Sequence, residues 1–474
     1  MLEKVFKLKE NNTSARTEVF AGVTSFMTMA YIIALNPNIL TNYDIGSPLW
    51  NSVFLATCIA SFIAMVAMSF LANKPFCLGP GMGINAFFVV VAGSLVANNG
   101  FSYVSAFQTV ICIVFIEGIV FIILSLFSIR EKIVEAIPLG VRMGIAPAIG
   151  LMLMNIGFGS NIYIADENGN QFFVMRDFFG ALTAKGAKET MGSAYPVMIL
   201  SIVTLFVGLF VIVMLSHKGY NTAVLLGMLV ASVVYWIGQA LFLHQNPFAV
   251  LATASFKPAF ADMASTTLFK LNFAGLAQLG WITVVTLIIT FCIIDMFDTI
   301  GTLVGTATRA GMVNEKGEMP KMKEALLSDA IGTVTGSLTG TSTITTFIES
   351  AAGVEAGGRT GLTAITCGIM FLACIFLSPV AAIIPAAATS SALVYVGVLM
   401  VAGLKNIDFD SMDTIVPIAI MLISMPISGS IGHAIGLGII SCAVIKVLTG
   451  KAKEVSALTY VLSVIFLVKF FIPV

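Results

Sequence analysis

GTVTGSLTGTSTITTFIESAAG, residues 332–353, is the stretch on which the fold turns. It lies among hydrophobic runs, yet its Gly- and Thr-rich start makes a poor helix, and only a short apolar run follows. An earlier stretch repeats the pattern. In ANKPFCLGPGMGINAFFVVVAG, residues 72–93, Gly79, Pro80, Gly81 and Gly83 cannot sustain a helix, and an apolar run begins only after them. Irregular backbone at membrane depth survives only where protein buries it or a wet cavity borders it. Two interrupted segments in corresponding places point to a transporter site built between inverted repeats.

The rest of the chain supplies the membrane. Its 474 residues are 58% hydrophobic and 10% charged, and the mean hydropathy is +1.01, which excludes an ordinary soluble domain. Runs long enough to cross occur at about 17–40, 50–73, 103–129, 139–158, 194–216, 221–243, 281–306, 361–385 and 387–404. Shorter runs lie at about 80–96, 324–339 and 343–356. The tail runs 412–428, 431–448 and 457–473 are marginal in length, and one of them fits an interfacial segment. The expected fold class is an all-α polytopic membrane protein of about 14 transmembrane segments, in which segments 3 and 10 are half-helices. Seven segments per half is an odd number, so the halves enter from opposite sides. A first inverted repeat spans 1–243, an extracytoplasmic connection 244–280, and a second repeat 281–474.

Charge sets the orientation. Of 24 Lys and Arg, only Arg176, Lys185, Lys188, Lys257 and Lys270 fall on the side opposite the N-terminus, with Lys469 unassigned. A cytoplasmic N-terminus follows. The charged opening MLEKVFKLKENNTSAR has no cleavage site after it, so no removable signal is expected. A zero net charge gives no reason for a nucleic-acid partner. The seven cysteines (58, 77, 112, 292, 367, 374, 442) show no CxxC pairing and read as small core residues. His217, His244 and His433 lack ligand spacing, so neither a metal nor another cofactor is expected. The loops at 159–193 and 244–279 read as solvated caps.

Three acids sit deep in apolar sequence, each at a cost of roughly 2.5–3.5 kcal/mol at a bilayer centre. In FCIIDMFDTIGTLVGTATRAG, residues 291–311, Asp295, Asp298, Thr302 and Gly305 recur at helical spacing, so that two carboxylates and a hydroxyl share one face. Such a face cannot point into lipid. Glu349 follows Thr345 and Thr346 by one turn, with Ser350 beside it and Ser342 or Thr343 available as an N-cap. Asn85 lies one turn into the first broken segment's helix, with Phe87 and Phe88 beyond. Converging helix N-termini favour ligand lone pairs, and the carboxylates accept ligand N–H groups. A planar heterocycle with a carbonyl and ring N–H groups meets both conditions. Burial disfavours a charged carboxyl while N–H donors favour it, so protonation can follow occupancy. Asp298 and Glu349 are therefore coupling candidates for a proton gradient, although sodium also suits exposed carbonyls and acids. Glu117, a lone acid in the fourth segment, reads as a structural hydrogen bond.

GPGMGINAFF, FDTIGT and TTFIESAAGV, with the opening RTEVFAGVTSFMTMAYIIALNP, resemble the AzgA-like purine permeases of the nucleobase and cation symporters over nearly the whole chain. The resemblance implies the uracil-permease-like fold, with a core domain moving against a gate domain. It also implies proton symport of adenine, guanine or hypoxanthine, a plasma-membrane location and a homodimer. Asn85, Asp295 and Glu349 carry over as purine contacts, and Asp298 as a contact or support. Thr302, Thr346, Ser350 and Phe87 are secondary candidates. Thr302 stands where the uracil branch has a histidine, which argues against uracil.

Within transporters the alternative is a carrier of another nucleobase or a small anion. From a different class, an intramembrane enzyme would use the Asp295/Asp298 pair for a metal or for acid–base work, but no nucleophile, His or third ligand cluster accompanies it. A channel would show flux that neither saturates nor follows a proton gradient.

Overall fold

The computed structural model describes residues 2–127, 138–159, 163–165, 171–173, 192, 195–249, 251, 255–309, 312, 319–407, 411–428 and 431–470. The charges at Arg130, Lys132, Arg176, Lys185, Lys188 and Lys316 lie outside these residues, as does most of the 159–193 loop.

The first half begins with helices α1 (Ala15–Met29), α2 (Ile32–Leu40) and α3 (Pro48–Ala67). The short strand β1 (Leu78–Pro80) leads into α4 (Met82–Asn99), then α5 (Tyr103–Leu126). Helix α6 (Leu139–Gly159) precedes a small hairpin of β2 (Tyr163–Ala165) and β3 (Gln171–Phe173), and α7 (Tyr195–His217) and α8 (Ala223–Phe242) follow. The second half starts with α9 (Trp281–Arg309) and α10 (Met322–Thr339). Strand β4 (Ile344–Thr346) then feeds the six-residue α11 (Ser350–Glu355), followed by α12 (Gly361–Ala373) and α13 (Ala386–Val401). The tail forms three separate helices, α14 (Met412–Ser428), α15 (Ile431–Leu448) and α16 (Ala457–Phe470). Each half therefore runs through helices, a strand and a further helix in the same order.

Among the described residues nine helices are long and apolar enough to cross a membrane, and four more apolar helices are shorter. Large apolar side chains such as Phe20, Ile123, Phe210, Leu241 and Ile369 face outward, where a bilayer satisfies them. The chain is a multi-pass membrane protein.

Both broken segments are strand followed by helix, but their helices differ in length. α4 runs 18 residues, long enough to count as a span, where a half-helix was expected. α11 is short because its C-terminus runs into Gly357, whose φ of +102° suits glycine. The first segment also differs from its sequence reading. It breaks at Ala30–Tyr31, and Pro37 stays inside α2. The side chains of Asn36 and Asn38 on either side of it are buried and hydrogen-bonded.

Packing sorts the helices into two bodies that ignore the order of the halves. In the first body α10 packs on α3 and α5, α12 on α1 and α3, and α4 on α5. In the second, α6 packs on α13 and α14, α7 on α8 and α13, and α15 on α14 and α16. Small residues set the approach where helices cross. A Cβ on Gly150 of α6 would stand 2.6 Å from the Gly397 carbonyl oxygen of α13, so both glycines let the backbones meet.

A buried acid locks the first body. Glu18 of α1 accepts hydrogen bonds from the backbone N–H of Arg359 (2.8 Å) and Thr360 (3.2 Å) and from Thr363 Oγ1 (2.6 Å). It therefore satisfies donors at the start of α12, which no helical carbonyl can reach.

Candidate functional site

The two broken segments meet as an antiparallel pair, with Leu78 opposite Thr346, Gly79 opposite Thr345 and Pro80 opposite Ile344. Each strand satisfies the other's backbone, as membrane depth requires. The Gly81 N–H donates to the Thr343 carbonyl (3.0 Å), and Phe347 N–H to that of Cys77 (3.0 Å), extending the crossing at both ends. Gly79 lies against the Phe347 ring, where an added Cβ would come within 3.2 Å of Cε2.

Beside this crossing is a cavity of ≈ 360 Å³, within the range of small-molecule sites. Its polar wall is Tyr31, Asp298, Thr302, Thr345, Thr346 and Glu349, carried by α9, by the break before α2 and by β4 and the start of α11, which pack mainly on the first body. Among the described residues the second body contributes apolar groups and a glycine, namely Ala146 of α6 and Val396, Leu399, Met400 and Gly403 on and just after α13.

Two carboxylates face this space. Glu349 stands at the N-cap of α11, and its Oε1 accepts a hydrogen bond from Tyr31 Oη (2.8 Å); its own backbone N–H also interacts with the carboxylate, and among the described residues no side chain donates to Oε2. Among the described residues no side chain donates to Asp298, which lies within electrostatic reach of Glu349 and Asp329. Thr346 is 1% exposed, and its hydroxyl has no hydrogen-bond partner among the described residues. The Thr302 hydroxyl is already committed to the carbonyls of Asp298 (2.7 Å) and Thr299 (3.0 Å).

The structure separates the predicted residues into two sets. Asp298, Glu349, Thr302 and Thr346 line the cavity; Asn85, Asp295, Ser350 and Phe87 stand behind it. Asn85 is fully buried. Its Nδ2 donates to Asn36 Oδ1 (2.6 Å), and its Oδ1 accepts from Ser342. Asn36 in turn donates to Thr57 (2.6 Å) and Thr341 (2.9 Å), so this network ties α2, α3 and α4 to the approach to β4. Asp295 is fully buried within the first body and accepts from Thr299 Oγ1 (3.1 Å). That hydroxyl also lies 3.0 Å from Oδ1 of Asp329 on α10. Ser350 Oγ accepts from the Cys77 N–H (2.9 Å), and the Phe87 ring packs 4.7 Å from that of Phe291. The surroundings of Gly305 on α9 lie outside the described residues.

Neither predicted N-cap caps α11. Ser342 is drawn to Asn85, and Thr343 to Glu117 Oε2 (3.1 Å), which makes Glu117 the structural tie that its isolation suggested. Sequence reasoning missed Tyr31 and Asp329. Asp329 carried a usable signal, an acid within the short run 324–339; Tyr31, an aromatic in an apolar segment, carried none.

A helical membrane protein in two packed bodies, with a small-molecule cavity walled by acids on one side and apolar groups on the other, is a transport protein by class, not an enzyme. Comparison with known proteins agrees. Residues 16–431 match the profile described as the Permease family. The adenine permease AdeP of Escherichia coli is 35% identical over 99% of this chain and 96% of its own length. The guanine/hypoxanthine permease PbuO of Bacillus subtilis is 35% identical over 99% of this chain and 100% of its own. The transmembrane domain of the cyanobacterial bicarbonate transporter BicA shares the fold, with a TM-score of 0.60 at 15% identity, covering 88% of this chain and 96% of that domain. The chain belongs to the Permease family.

Proposed function

We propose that this permease imports purine nucleobases, hypoxanthine, guanine or adenine, by proton symport across the plasma membrane, with its N-terminus in the cytoplasm. The observation that carries the reading is the set of polar groups in the cavity. Asp298, Glu349 and Thr346 line it, and among the described residues no side chain donates to the Asp298 carboxylate or to Glu349 Oε2; opposite them stands a wall of Ala146, Val396, Leu399 and Met400. A planar ring with N–H donors on its edge satisfies the acids and lays its face on the apolar wall. The names of AdeP and PbuO support a purine over another ring.

Asp298 and Glu349 are the direct contacts in this reading, with Thr346 beside them. Asn85 and Asp295 hold the site from behind. The division of the cavity between two bodies supports a cycle in which the first body, carrying the ligand, moves against the apolar face of the second. The repeated order of elements supports repeats over 1–243 and 281–474. Protonation of Asp298 or Glu349 would couple that movement to the gradient, because a neutral carboxyl crosses a low-dielectric barrier far more cheaply than a charged one.

The test is uptake of radiolabelled hypoxanthine in a host lacking purine transport, competed with adenine, guanine, xanthine and uracil, with and without a protonophore. Saturable uptake that purines compete and that collapses on uncoupling supports the reading. Uptake that survives uncoupling but needs sodium would replace the coupling ion. No purine uptake by well-expressed protein would overturn the substrate class.

A further inference from the structure

The reading above leaves Tyr31, the aromatic member of the polar wall, without a role. Tyr31 is 1% exposed and stands where the first segment breaks between α1 and α2. Its hydroxyl donates to Glu349 Oε1 at 2.8 Å. The surrounding contacts fix that pose. Thr28 Oγ1 approaches the Glu349 carbonyl (3.5 Å), and α11 is pressed so closely onto α1 that a Cβ on Gly353 would lie 2.0 Å from Ser25 Oγ. Glu349 is thus held from the same helix that precedes Tyr31, and one of its two oxygens already accepts a hydrogen bond.

We infer that Tyr31 is a specificity-determining residue: by donating to Oε1 it competes with ligand N–H groups for that oxygen and leaves Oε2 the stronger acceptor. This rests on the purine reading of the cavity. A carboxylate with both oxygens open takes two adjacent N–H donors as a bidentate pair; where a phenol already donates to one oxygen, that oxygen keeps a further lone pair but is a weaker acceptor for the second donor. Hypoxanthine offers a single N–H on its pyrimidine edge, whereas guanine adds an amino group next to it. In the wild type the second donor gains less from Glu349 than the first. Without the phenol hydroxyl, Glu349 accepts both.

The experiment compares wild type with Tyr31→Phe as purified proteins, measuring Kd for hypoxanthine and for guanine by titration calorimetry. The ratio of guanine to hypoxanthine affinity is expected to rise in the variant by up to about tenfold, the effect of one full hydrogen bond to a charged group. A purely structural role would weaken both ligands alike. An unchanged or reduced ratio therefore overturns the inference, whether or not overall affinity falls. If Tyr31→Phe does not give monodisperse protein, Tyr31→Leu deletes the same donor and is read by the same ratio. If the wild type binds neither purine, the substrate reading itself fails and this inference with it, an outcome the wild-type arm separates from an unchanged ratio.

Discussion

Replacing Thr346 with Val should move stability and affinity in opposite directions. The Thr346 hydroxyl is buried at the cavity wall with no partner among the described residues. Leaving such a group unsatisfied costs about 1–3 kcal/mol, while a hydrogen bond to an incoming ligand returns about 0.5–1.5 kcal/mol. Val keeps the β-branched shape that suits the strand and removes the unsatisfied oxygen. The ligand-free variant should therefore be at least as stable as the wild type, with a gain of about 1 kcal/mol, and should bind hypoxanthine roughly two- to twelvefold more weakly. Thermal unfolding of the purified protein without ligand measures the first effect, and calorimetric titration the second. A variant that is less stable without ligand yet binds normally would refute the reasoning, because the hydroxyl would then serve the fold.

Asp298→Asn and Glu349→Gln should each reduce uptake at least tenfold with surface expression retained, since each removes an acceptor and a titratable group; normal uptake in either would overturn the site assignment. Asn85→Ala should act through stability, because it strands Asn36 Oδ1 and the Ser342 hydroxyl in the interior, at about 1–3 kcal/mol for each buried group left unpaired. A lower unfolding midpoint is the expected result. An unaltered midpoint with weakened purine binding would instead make Asn85 a direct contact.

The parts of this site that could be read in advance are those where sequence breaks a local rule. Asp298 and Glu349 stand out because charge is costly in apolar segments, and the two broken segments because glycine, proline and threonine interrupt hydrophobic runs. Periodicity places Asp295 and Asp298 on one face of α9, but a three-residue step rotates a helix by less than a full turn. That offset is enough to turn Asp295 toward Thr299 and Asp329 while Asp298 meets the cavity. Asn85 shows the same limit: its position one turn into α4 is legible, but not that Asn36 and Ser342 claim both ends of its amide. Tyr31 lay beyond reach because its meaning comes from Glu349, which is 318 positions away in the chain. Nor does hydropathy say that α6 pairs with α13 while α3 pairs with α10, so the two bodies emerge only from packing.

The antiparallel pairing of β1 with β4 also dictates an order of events during synthesis. Leu78–Pro80 leaves the ribosome long before Ile344–Thr346 exists, and the partner that satisfies its backbone is still untranslated. Lipid offers no substitute for those hydrogen bonds. The newborn first half must therefore wait with its broken segment sheltered by water, the translocon or neighbouring helices, and it closes only when the second half arrives. A chain cut between α8 and α9 would have to be made as two fragments in the same membrane to recover a finished crossing.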